Sequence, residues 1–200
     1  VKDVHRRGHA WLASNGCAND HLMYNTQASH PNLMTTAQTC INHLALLPHP
    51  EGGYYRETYR SHATMTVSGQ AADTPAQRNV CTGIYFLLEA GNFSAFHRIE
   101  SDEMWHFYAG QALEVLELDD AGNLTRTRLG PDLLNGDVPQ HVVPARRWFA
   151  SRVAPGGTFA LVGCTVAPGF DFADFALAQR HTLAARYPQH AALIAELTRG

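Results

Sequence analysis

The sequence has no apolar run long enough to cross a bilayer. Its uninterrupted apolar stretches, such as residues 84–88 and 159–162, are strand-length, against the roughly 20 residues that a membrane-spanning helix needs. An excess of positive charge is missing too. With 15 Lys and Arg against 18 Asp and Glu the net charge is -3, which leaves no footprint for nucleic acid or an anionic membrane. Cysteine is sparse and unpatterned: Cys17, Cys40, Cys81 and Cys164 form no CxxC pair, and no charged segment followed by an apolar one opens the chain as in a secretory leader. These read as free thiols of a cytoplasmic protein.

What is present suits one domain. A chain of 200 residues with 45% apolar content can bury about two-thirds of its unfolded surface. Residues 1–33 mix Arg, His, Asn and Ser without a period of 3.6 or 2.0, and are expected to be a disordered extension ahead of a domain at 34–200. Thr35 or Thr36 is a plausible N-cap for a helix reaching about Leu46, ended by Pro48 and Pro50. In Tyr54 to Arg60 the side chains alternate, with Tyr54, Arg56, Thr58 and Arg60 on one face and Tyr55, Glu57 and Tyr59 on the other. Arg56 and Tyr54 are candidate ligand-binding residues; the alternative is cross-strand packing on an amphipathic sheet. Residues 68–79 are small and polar, hence a loop, and residues 80–89 form a continuous apolar strand.

The centre of the chain is residues 91–110, which read as strand, tight turn, strand. Beyond it, residues 112–118 and 124–129 flank Asp119-Asp120-Ala121-Gly122-Asn123, a hairpin signal with its glycine. Residues 158–166 supply a last buried strand. From Pro168 an aromatic clasp, Gly169-Phe170-Asp171-Phe172-Ala173-Asp174-Phe175, precedes helical patterns at 176–186 and 190–199. Many short strands joined by Gly-rich turns predict an antiparallel sandwich or barrel.

Within residues 91–110, Gly91, His97, Glu103 and Gly110 fall where the first motif of the cupin superfamily has them. With Pro48-His49-Pro50-Glu51-Gly52-Gly53-Tyr54-Tyr55-Arg56-Glu57, Pro139-Gln140, Val143-Pro144-Ala145 and Val166-Ala167-Pro168-Gly169-Phe170-Asp171-Phe172, the chain resembles a cupin family often called cupin 5, over about residues 38–190. The resemblance implies an all-β double-stranded β-helix (the cupin jelly roll, like that of the deoxysugar epimerases), with short N- and C-terminal helices. It also implies a small-molecule pocket inside the barrel and a homodimer. It brings no established reaction.

A metal-binding cupin uses two histidines and a glutamate from its first motif and a histidine from its second. Here Ile99 replaces one histidine, and Phe149 stands where the last would be. No cofactor is therefore expected; a divalent transition metal, if bound, would use His97 and Glu103. His106 is a poor substitute, since an inward Glu103 puts Trp105 and Phe107 inward and His106 outward. His141 is another candidate. By analogy with metal-free epimerases, the resemblance makes His97 a base oriented by Glu103, with Tyr85 or Tyr54 as acid and Arg56 holding a carbonyl or phosphate. Phe86, Trp105 and Phe107 would line a pocket for a small, sugar-like ligand, though such an aromatic stripe can equally be core. The expected function is small-molecule binding with metal-independent isomerase or epimerase chemistry. The alternatives are a non-catalytic binder and a metal-dependent oxygenase or isomerase.

Overall fold

The computed structural model describes residues 35–68 and 75–199, so the extension expected at 1–33 lies outside the described residues. Helix α1 (Ala37–His43) is followed by β1 (Leu47–Pro48), β2 (Tyr54–Arg60), β3 (Thr64–Val67), β4 (Ala76–Asn79), β5 (Thr82–Glu89), β6 (Phe93–Ile99) and β7 (Asp102–Gly110). Then come β8 (Leu113–Leu118), β9 (Leu124–Leu129), β10 (Gln140–Val143), β11 (Trp148–Val153), β12 (Phe159–Ala167) and β13 (Phe175–Leu177), closed by α2 (Arg180–Arg186) and α3 (Ala191–Glu196). The Thr36 hydroxyl caps α1 by accepting from the Thr39 amide at 3.1 Å. The helix stops earlier than the sequence suggests because Ala45 takes φ 51°, outside any helix.

One sheet has the order β1-β2-β5-β12-β7-β10 and faces a second, β13-β6-β11-β8-β9. Between them Phe86, Leu88, Trp105 and Val162 of the first meet Leu113, Val115, Phe149 and Val153 of the second. This is a double-sheet jelly roll. Each fully buried side chain of this kind contributes roughly 1.5–3 kcal/mol. The outer face of the first sheet is covered by α1 and the turn after it, through Cys40 and Leu46 on Leu87, Phe159 and Leu161. The second is covered by the C-terminal helices, through Leu183, Ile194 and Leu197 on Phe96, Leu116 and Leu118.

The predicted hairpin at 118–124 is present: Leu118 pairs with Leu124, Gly122 takes φ 83°, and the Asp119 carboxylate accepts from the Asn123 amide at 2.7 Å. Two boundaries differ from expectation. Ala76–Asn79 is not loop but pairs with Thr64–Val67. Ala176 and Leu177, expected in a helix, belong instead to the strand Phe175–Leu177, because β6 has a free edge on which Leu177 pairs with His97. No helix among the described residues is long and apolar enough to cross a membrane.

Candidate functional site

The barrel is filled at one end and open at the other. A pocket of about 350 Å³ lies where β5 and β7 begin and β6 and β12 end. Its inner surface carries Thr82, Ile84 and Phe86 from β5, His97 and Ile99 from β6, Glu103 from β7, and Cys164 and Val166 from β12. Strand alternation explains the set: each strand sends every second side chain inward. The segment after β12 folds back over the mouth with Phe170, Phe172 and Phe175, whose rings contact one another edge to face at 5.0–6.2 Å between centroids. Thr82 Oγ1 accepts from the Phe170 amide at 2.9 Å, Arg60 donates to the Phe170 carbonyl at 3.2 Å, and Arg78 grips Asp174 through two bonds of 2.6 Å.

The loop between β1 and β2 adds His49 and Glu51 to the pocket. Gly52 and Gly53 make this possible. They take φ 118° and 71°, and a Cβ at either would lie 2.1 Å from the Phe93 carbonyl oxygen or 2.5 Å from that of Leu87. The tight turn brings Glu51 back over β6. Its carbonyl accepts from the Ala95 amide at 2.9 Å and from Arg199 Nε at 3.1 Å, and Ser94 Oγ donates to its Oε1 at 2.9 Å. The other carboxylate oxygen, Oε2, is 3.2 Å from His97 Nε2 and 3.5 Å from His49 Nδ1.

The hydrogen bonds fix where protons sit. His97 Nδ1 is 2.7 Å from the Ala95 carbonyl, so it carries a proton and donates. Nε2 and Glu51 Oε2 then face each other as two acceptors unless one proton lies between them. The pair holds one proton when both groups are neutral or when the imidazolium faces the carboxylate. Burial pushes the Glu51 carboxyl up to about 6, opposed by His49, the Ser94 hydrogen bond and Arg199. Burial pushes His97 down, opposed by the Glu103 charge and the Ala95 carbonyl. Glu103 is pushed up to about 7 by burial, opposed by His97, raised further by Glu51, and lowered by a hydrogen bond from the Cys164 thiol. Two carboxyls that exchange protons near neutrality therefore share one cavity with an imidazole held toward its neutral form.

Of the residues singled out from sequence, His97, Glu103 and Phe86 line this pocket. Tyr85 does not. It points from the other face of β5 into the α1 cluster, and its ring lies 6.0 Å from that of Tyr108. Tyr54 belongs to the same outer cluster, and Arg56 donates to the Leu44 carbonyl at 2.9 Å, bracing the end of α1. On β2 the pocket takes the opposite face, through Tyr55 and Glu57; a register shift between Glu57 and Tyr59 turns Arg60 to join them. Trp105 and Phe107 face inward but pack in the filled half: Trp105 lies edge-on to Phe86 at 5.8 Å and to Phe149 at 6.1 Å. They support the pocket wall without lining it.

His106 faces outward, bonding Thr165 Oγ1 at 3.1 Å and the Gln140 amide at 2.9 Å, as alternation from Glu103 requires. His141 bonds Glu117 at 2.5 Å, away from the pocket. His49, Glu51, Tyr55 and Cys164 had no assigned role from sequence alone. The usable signal was the Gly-Gly pair after Glu51, which marks a turn sharp enough to aim the preceding side chain.

A metal of the kind that cupins bind does not fit these donors. Phe149 pairs with His97 in register and its ring lies 4.1 Å from the imidazole, filling the place of a second-motif histidine, while Ile99 fills another. Both nitrogens of His97 are already engaged. Among the described residues, no group of three or more His, Cys, Asp and Glu side chains is arranged to hold an ion.

Comparison with known proteins agrees with this architecture. Residues 38–178 match the family model described as Cupin superfamily (DUF985). An uncharacterised Saccharomyces cerevisiae protein, YML079W, is 35% identical over 153 residues, covering 72% of this chain and 76% of that protein. The crystal structure of protein SO0799 from Shewanella oneidensis is 44% identical, covering 83% of this chain and 99% of that one at a TM-score of 0.74. A hypothetical protein from Leishmania major is 33% identical, covering 83% and 100% at a TM-score of 0.76. The chain belongs to the cupin superfamily, in the family designated DUF985.

Proposed function

We propose that the protein binds a small molecule in the open end of its barrel and moves a proton on it without a metal, as an isomerase or epimerase does. One observation carries this reading: Glu51 Oε2 meets His97 Nε2 at 3.2 Å within the cavity that Glu103 also lines. The deprotonated Glu51–His97 pair takes a proton from a carbon next to a carbonyl. Glu103, pushed up to about 7, holds a proton that it can return. Two carriers around one cavity are what a proton transfer between carbons, or between faces of one carbon, needs.

The pocket offers Tyr55 as the hydroxyl in place of Tyr85. Its ring lies 4.6 Å from that of His49. A sugar nucleotide is a poor fit, because the pocket's arginine, Arg60, is matched to Glu57 by bonds of 2.6 and 3.0 Å, leaving no unmatched Lys or Arg for a diphosphate among the described lining residues.

The aromatic clasp favours a second reading, a binder without chemistry. Solvent exchange separates the two. A panel of keto and aldo sugars, both uncharged and amino-substituted, is incubated with the protein in deuterium oxide and followed by proton NMR. Loss of a carbon-bound proton signal, faster than with the His97→Asn variant, is the expected result. Ligand-induced thermal shifts without exchange across the panel support the binder instead.

A further inference from the structure

The charge on the pocket wall deepens this reading and rests on it. Four carboxyl groups line the cavity, those of Glu51, Glu57, Glu103 and Asp171. At the rim, Glu57 is matched by Arg60, with Asp171 close enough to act on the charge of Arg60 and Arg78. The floor is different. Glu51 and Glu103 are 6% and 7% exposed and share it with two histidines, His49 and His97, both held toward the neutral form by burial. Arg199 approaches Glu51 from behind, on its backbone carbonyl rather than in the cavity. No lysine or unmatched arginine reaches the floor among the described lining residues.

The walls above are ring faces and edges. Tyr55, Phe86, Phe170, Phe172 and Phe175 surround the space over the two carboxyl groups. Aromatic faces attract a positive charge, and the attraction grows as water is excluded. An anion entering here would meet two buried acids and, among the described lining residues, no unmatched Lys or Arg. A neutral ligand would leave the two acids holding their protons and would gain nothing from their charge.

We infer that the pocket's ligand carries a positive charge, and that a small organic ammonium compound is seated with its cationic head between Glu51, Glu103 and the aromatic clasp. The apolar part of such a compound packs on Ile84, Ile99 and Val166. The head pairs with whichever acid is ionised, so binding strengthens as pH rises through about 6, where Glu51 loses its proton, and again through about 7, where Glu103 gives up the proton it otherwise returns to the ligand.

Three probes of one shape test this: choline, its uncharged carbon isostere 3,3-dimethylbutan-1-ol, and the anionic 3,3-dimethylbutanoate. Dissociation constants are measured by calorimetry from about pH 5 to pH 8 on the full chain and on Glu103→Gln. The expected result is choline binding about tenfold or more tighter than the alcohol at pH 8. The preference shrinks toward pH 5 and in Glu103→Gln, which keeps the side chain's shape. Equal or tighter binding of the alcohol or the carboxylate overturns the inference, and so does failure of all three to bind. The solvent-exchange panel reads proton transfer and these probes read charge preference, so the two results stand or fall separately.

Discussion

Two histidine–carboxylate pairs sit on either side of Phe149. Across the second sheet, His97, Phe149 and Glu117 lie in one row of the ladder and share its inner face. On one side Glu51 reaches His97; on the other His141 reaches Glu117 at 2.5 Å. Phe149 and the Trp105 ring lying against it separate the two. The pairs use the same residue types in opposite ways. Glu117 ties β10, at the edge of the first sheet, to β8 in the second, so its contact closes the barrel. Glu51 and His97 face a cavity that Glu103 also lines. Pairing alone does not mark a site. A pair acts chemically when it has empty space beside it, and it pins structure when it does not.

Substitution should drive the two pairs in opposite directions. The largest effect belongs to the pocket: Glu51→Gln keeps the side chain's shape but removes the shared proton. Solvent-proton exchange on a turned-over ligand should fall by roughly 10²–10⁴-fold. An exchange rate within a few-fold of the parent would place the chemistry elsewhere.

Next is Glu103→Gln, for which the sign on stability is unusual. A carboxyl raised from 4.5 to about 7 binds its proton more tightly folded than unfolded. Its contribution is complete below about pH 4.5 and is lost as pH rises through about 7. The neutral variant should therefore be more stable than the parent at pH 8, by roughly 1–3 kcal/mol, and close to it at pH 4.5. Urea unfolding at the two pH values checks this. A loss of stability at pH 8 would show that ionised Glu103 is well paired.

The smallest effect should come from Glu117→Ala, which leaves His141 without its partner and the edge of the barrel less tied. A loss of roughly 1–2 kcal/mol is expected, with probe affinity unchanged. Weakened binding would mean that the wall of Phe149 and Trp105 does not insulate the pairs.

How far the residues disclosed this follows from the period of each strand. The turn at Gly122 carried its own geometry, so the 118–124 hairpin was legible. On β7 an inward Glu103 fixed Trp105 inward and His106 outward, and both point so. The spacing to Phe149 was legible too, since Phe149 pairs with His97. Alternation defines two faces without saying which one turns to the barrel, so on β2 it could not choose Tyr55 over Tyr54. A bulge beside Thr58 then moved Arg60 across. On β5 both faces are apolar, because α1 covers one and the barrel the other; nothing local marked Tyr85 as outer. Glu51 was hidden for another reason. It enters from a loop, where no period exists, and its partners lie 43 and 46 residues further along the chain, at Ser94 and His97.

The guanidinium of Arg199 bonds the Glu51 carbonyl across 148 residues of sequence and lies 4.6 Å over the Phe93 ring. A contact between the loop that joins β1 to β2 and the last described residue makes the seat of the Glu51 carboxyl depend on the fold as a whole and not on its own loop. Shape and seating are thereby separable: the sheets can be in register while this carboxyl still lacks its anchor.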